Sequence, residues 1–287
     1  AEPIMPAPMI VIVFFIIFYA HNTHAWNLIH PSGGRSLSLG NCSVTLNDFW
    51  SCNNNLAGIT SLQSTCIGLS YSNKFMMKEL GYKNIGITYN SNIGVFLITA
   101  SQFGYEHYSE NLIGLGYARD FGPNLRIGLK LDYLFFLLSN EYKNKSAPTF
   151  EIGIQYQINK SLCIGVYAFN PINIKTKSLN KDKIPIVIRL GLSYYINDDF
   201  FITSEIEENS EHNFSYRFGV EYEIYKNIYI RSGFQLKPEL LTFGFGYNLK
   251  WLHLDISAQM NQILGASLSC SFVFEINKRK LRGRIAA

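Results

Sequence analysis

The sequence predicts an all-β fold: an antiparallel transmembrane β-barrel of about fourteen strands, with an N-terminal plug-like segment in its lumen. Three observations predict it. A short peptide repeats with strand periodicity, one face of each repeat is nearly free of polar atoms, and the connections alternate in length.

The repeat is IGIQY at 152–156, with relatives IGLSY (67–71), IGITY (85–89), IGLGY (113–117), LGLSY (190–194), FGVEY (218–222) and FGFGY (243–247). Each reads apolar, Gly, apolar, variable, Tyr. Side chains of a pleated backbone leave it on alternate faces, so such a segment is a strand with two unlike sides. From 216 to 224, Tyr216, Phe218, Val220, Tyr222 and Ile224 share one face, and Arg217, Gly219, Glu221 and Glu223 share the other. Likewise Leu252, Leu254, Ile256 and Ala258 oppose His253, Asp255, Ser257 and Gln259. The apolar face is assigned to lipid and the small, charged face to the lumen. Arg is therefore expected to be worse at Ile154 than at lumenal Gln155. A soluble sandwich accepts the same alternation. The bare apolar faces and an export-like start favour the membrane, where only a closed sheet pairs every backbone amide without helices.

Residues 1–25 read as a signal peptide. MIVIVFFIIFYA (9–20) is too short to span a bilayer as a helix but suits an h-region, and Thr23 and Ala25 offer small residues before Trp26. A buried apolar strand or helix is the alternative. Export places the chain in the outer membrane, facing lipid. Residues 26–63 are small and polar, lack the strand rhythm, and form the plug-like segment. The barrel occupies 64–277 and a basic periplasmic tail 278–287.

Strand candidates follow at 64–73, 83–90, 92–103, 111–119, 124–138, 148–158, 161–169, 185–196, 200–207, 213–224, 227–236, 240–250, 251–260 and 264–276. Turns such as 120–124, 159–161, 197–199 and 225–227 are short and rich in Asn, Asp and Gly. Those of the other rim, 74–82, 104–110, 139–147, 170–184 and 208–212, are mostly longer. Tyr89, Tyr117, Tyr156, Tyr194, Tyr222 and Tyr247 fall just before short turns, as a membrane-interface girdle would.

Of the 287 residues, 16% are charged and 15% aromatic, and much of the net charge of +4 comes from Lys278, Arg279, Lys280, Arg282 and Arg284. Elsewhere basic and acidic residues interleave, which excludes a nucleic-acid face. The cysteines Cys42, Cys52, Cys66, Cys163 and Cys270 lack metal-ligand spacing, and no cofactor is expected. Cys42 and Cys52 are the one close pair; separate thiols are the alternative.

The lumenal face carries Arg126, Lys130, Asp132, Glu151, Arg189, Glu205, Glu207, Arg217, Glu221, Glu223, Arg231 and Asp255. Mixed signs favour a polar network over a selective pore, which shows rings of one sign. Phe96, Ile98, Tyr167 and Phe169 are assigned to an apolar lumenal patch that either binds solute or packs the N-terminal segment. His253, Asp255 and Ser257 have the residue types of a catalytic triad. Side chains two apart on a strand are about 7 Å apart, too far for such a relay, so no enzyme is expected.

The stretch GGRSLSLGNCSVTLNDFWSCNNNLAGI (33–59), with its Gly-Arg-Ser opening, the pair Phe49-Trp50 and NNLAG at 54–58, resembles the start of FadL-type barrels and their Bacteroidota relatives, the PorV/PorQ family of type IX secretion. Leu56 stands where that superfamily has the Pro of Asn-Pro-Ala-Gly. The resemblance implies a fourteen-stranded outer-membrane barrel. It further implies a binding or scaffold accessory that engages a secretion-system component or a secreted cargo protein. The alternative it carries is a FadL-like transporter of small hydrophobic molecules.

Overall fold

The computed structural model describes residues 28–138, 146–172, 184–210 and 212–278. The expected signal peptide and nearly all of the basic tail lie outside them. The strands are β1 (Ser64–Asn73), β2 (Gly81–Asn90), β3 (Val95–Tyr105), β4 (Tyr108–Phe121), β5 (Leu125–Leu138), β6 (Ser146–Gln157) and β7 (Leu162–Phe169). They continue as β8 (Val187–Tyr195), β9 (Phe200–Asn209), β10 (His212–Tyr225), β11 (Ile228–Leu236), β12 (Leu240–Asn248), β13 (Leu252–Asn261) and β14 (Gly265–Lys278). Each pairs antiparallel with its sequence neighbours, and β1 closes the ring on β14 from Ser64 opposite Lys278 to Asn73 opposite Leu268. Closure leaves no strand edge, the condition for backbone in lipid.

The two faces separate as their chemistry demands. On β5, Leu131 is 71% exposed on the outer wall while its neighbours Lys130 and Asp132 are buried inside. Leu190, Leu241 and Ile256 likewise stand on the outer wall. Tyr89, Tyr117, Tyr156, Tyr194, Tyr222 and Tyr247 also point outward, toward the rim of short turns.

Phe96 and Ile98 are corrections: they face out, and Val95 and Leu97 face in. Every residue of VFLI is apolar, so alternation on this strand shows no contrast from which to choose a face. Phe96 instead lies between the strand partners Tyr89 and Tyr117, its ring 5.0 Å from that of Tyr117.

The strands also run further into the second rim than residue type suggests. The connection expected at 104–110 shrinks to Glu106 and His107, because Tyr105 and Tyr108 still pair. At the opposite rim, Asn side chains close the turns. Asn159 Oδ1 accepts from the backbone amides of Ser161 and Leu162, and Asn197 Oδ1 from those of Asp199 and Phe200.

Residues 33–62 lie within the ring. They form a short helix α1 (Gly34–Ser38), a single turn α2 (Ser51–Asn54) and a 3₁₀ turn at Leu56–Ser61. Asn55 caps the last, in extended conformation, with its Oδ1 accepting from Ala57 N at 3.2 Å. Leu39, Val44, Leu46, Phe49, Trp50, Leu56 and Ile59 are all buried, so the segment supplies the apolar core of the barrel interior.

Placing Arg at Leu131 or Val220 should cost about 2 to 4 kcal/mol of barrel stability, the price of a cation on the lipid face near mid-bilayer. Urea titration of the protein folded in phospholipid vesicles reads that loss; wild-type midpoints for both variants would contradict the assignment of faces.

Candidate functional site

The site is the lumen, and the glycines of the repeat shape it. Four glycine pairs face each other across adjoining strands: Gly68 with Gly86, Gly128 with Gly153, Gly165 with Gly191, and Gly219 with Gly233. All turn their bare side inward. A Cβ on Gly68 would come within 2.1 Å of the Phe49 ring, one on Gly128 within 2.5 Å of Leu56 Cβ, and one on Gly219 within 2.6 Å of Leu39 O. These are impossible contacts. The repeat is therefore the imprint of the segment at 33–62 on the wall.

Charge fixes the segment where glycine admits it. Arg35 reaches Glu221 through Nε and Nη2 at 2.8 and 2.6 Å, and Arg231 joins Glu221 to Asp255. A second cluster links Arg217 to Glu205 and Glu207, each at 2.7 Å, with Arg189 also on Glu207. The other oxygen of Glu205 accepts from the backbone amides of Ser43 and Val44 at 2.7 and 2.9 Å. A third cluster places Lys130 Nζ 2.9 Å from Glu151 and 3.5 Å from Asp132. Arg126 stands apart, donating to Asn47 Oδ1 at 2.9 Å, and Glu223 accepts from the Asn227 amide in the turn after β10. Each buried charge so placed is offset by a partner, as a low-dielectric interior requires.

Several residues that bind the segment carry no charge, and alternation alone gave them no role. Thr242 donates to Ser38 O and accepts from Gly40 N at 2.8 and 2.9 Å. Gln259 donates to Leu37 O and Asn41 Oδ1. Gln155 donates to Val44 O at 2.9 Å and Leu46 O at 3.1 Å. Gln155 faces the lumen as expected and is fully buried against the segment. The signal available was a Gln or Thr at an inward position among glycines.

The triad-like residues serve three separate contacts. His253 pairs with Glu275, Asp255 with Arg231, and Ser257 with Ser269. Cys42 and Cys52 are free, buried thiols, and burial pushes that of Cys52 up to about 12.

At the end of the lumen nearer the longer connections, Leu112, Leu134, Tyr167, Phe169, Ile184 and Val187 form an apolar cluster with Leu28, Tyr82 and Phe103. Its floor is polar. Lys130, Glu151, Arg189 and Asn53, with Leu112, Tyr167 and Phe169 of the cluster, line a space of about 10 Å³, which holds about one water. Arg189 donates to Ile29 O at 2.8 Å and lies 5.1 Å from the Tyr167 ring. Of the four residues assigned to an apolar lumenal patch, Tyr167 and Phe169 are in this cluster.

The same architecture occurs in solved structures. The monoaromatic hydrocarbon channel CymD superposes with a TM-score of 0.66 at 13% identity, over 88% of this chain and 99% of its own. The P. putida toluene transporter TodX gives 0.67 at 10% identity over 88% and 100%, and a Pseudomonas aeruginosa FadL homologue 0.63 at 10% over 86% and 98%. The chain has the FadL-type fold. No protein-family model matches it, and no curated protein matches it in sequence. CymD is a channel and TodX a transporter by name.

Two measurements probe the site. Glu205→Ala removes one of the two carboxylates on Arg217 and leaves two buried amides without their acceptor, so it should cost about 2 to 5 kcal/mol by urea titration in vesicles; a loss under 1 kcal/mol would show that Glu205 does not hold the segment. In planar bilayers the intact protein should show little steady conductance. Gly128→Leu with Gly219→Leu, which crowd out the segment, should raise it.

Proposed function

We propose that this barrel admits small hydrophobic molecules across the outer membrane. One observation carries the reading: an apolar cluster built around Leu112, Leu134, Tyr167 and Phe169 stands at one end of a lumen whose polar path is filled by residues 33–62. A general porin needs the reverse, an open aqueous path with polar walls. An apolar cluster over a polar floor, once its side chains part, favours entry of solutes that gain by leaving water and excludes ions and sugars. CymD and TodX, named for monoaromatic hydrocarbons and toluene, lend support through the shared fold.

The reading as a type IX secretion accessory of PorV/PorQ type draws on the N-terminal motif alone. Residues 33–58 of that motif are spent inside the barrel, on contacts with its own wall. In the transporter reading the outward tyrosines sit at headgroup depth, and residues 1–25 direct export.

Whole cells making the protein should take up labelled toluene several-fold faster than cells carrying an empty vector, with no gain for a labelled disaccharide. Phe169→Arg and Leu134→Arg place a cation in the apolar cluster and should return toluene uptake to background with the barrel still assembled. Equal toluene uptake with and without the protein would overturn the proposal.

A further inference from the structure

Among the described residues the outer wall between its rims is largely apolar; Ser204 and Ser232 are single polar residues on it, and β2, β3 and β4 carry a polar row. Lys83, Gln102 and Asn111 are direct partners across the three strands and all face outward. They form one hydrogen-bonded row: Lys83 Nζ donates to Gln102 Oε1 and Gln102 Nε2 to Asn111 Oδ1, both at 3.3 Å. The row crosses the wall two to three residues below the rim of longer connections. A lysine reaching up to that rim would explain Lys83 alone. It leaves Gln102 and Asn111 unexplained, because side-chain amides on a lipid-facing wall are costly without a polar neighbour.

Directly beneath, the next outward row is Leu69, Ile85, Ala100 and Ile113, again strand partner to strand partner. Ala100 is small between two large neighbours and makes a dip. Polar row and dip together form a groove of about 490 Å³. The ladders of β1 to β2, β2 to β3 and β3 to β4 run through it without a register shift, so the groove lies on the wall and does not breach it.

We infer that this groove is a binding site for a phosphate-bearing membrane lipid, with the headgroup on Lys83 and an acyl chain along Ala100. The head-to-tail order of the groove, polar toward the rim and apolar toward the bilayer centre, is that of a lipid in its leaflet. No carboxylate stands within ion-pair distance of Lys83 among the described residues, so its charge is free for an anion. Gln102 extends the polar row beside it, held by Asn111, which accepts from Gln102 and donates its own amide to Ser109 Oγ at 3.0 Å. A neutral solute would leave that cation unused.

Native mass spectrometry of the full chain, released from detergent micelles holding phosphatidylglycerol or phosphatidylcholine of identical acyl chains, tests the site. Wild type should retain the anionic lipid about fivefold more than the zwitterionic one, the ratio one cation at a membrane surface supplies. Lys83→Gln should bring the ratio to about one, and Ala100→Phe, which fills the dip, should lower retention of both lipids. Lys160→Gln, at the opposite rim, should keep the wild-type ratio. Heat-modified gel migration confirms folding, and if Ala100→Phe does not fold, Lys83→Gln decides alone. An unchanged ratio in Lys83→Gln, or an equal loss in Lys160→Gln, would overturn the assignment.

Discussion

A ring of fourteen strands encloses more space than its own inward side chains fill, and the rest of this structure depends on how that space is occupied. The wall gives up side chains at paired glycines, and the chain's own residues 33–62 lie against the bared backbone. Burying Leu39, Val44, Trp50 and Leu56 there creates a core that the barrel otherwise lacks. The glycines and the segment are therefore one device. A glycine without the segment would leave a void, and the segment without the glycines would not fit.

The ionic clusters give this packing its direction. Apolar residues on the segment would accept many placements, whereas Glu205 with two backbone amides and Arg217 accepts one. Arg35 on Glu221 does the same at the other end of α1. Pairs of this kind add little net stability, since desolvation offsets their attraction, but a displaced segment would leave several buried charges unpaired. The lumen is thereby held in one arrangement, with the apolar cluster near its other end.

Much of this was legible in the residues. Strand number, closure and the sign of each face follow from period-two contrast, which is strong wherever Gly, Arg or Glu alternates with Leu, Ile or Tyr. Where that contrast vanishes, as at Phe96 and Ile98, the reading failed. The lumenal charges were visible as a set of mixed sign, but their division into three clusters depends on cross-strand register, which no single strand encodes. Gln155, Thr242 and Gln259 were missed for a related reason: their partners are backbone carbonyls of the segment, and a carbonyl leaves no mark in the sequence.

The contacts between segment and wall also join residues far apart in the chain. Gly34 N donates to Ser271 Oγ across 237 positions, and Gln259 to Leu37 O across 222. The seam of β1 with β14 joins the two ends of the strand series, and the segment that fills the ring leads directly into β1. Assembly that waits on contacts this distant has high contact order and is slow, so a long exposure of unclosed strand edges is built into this architecture.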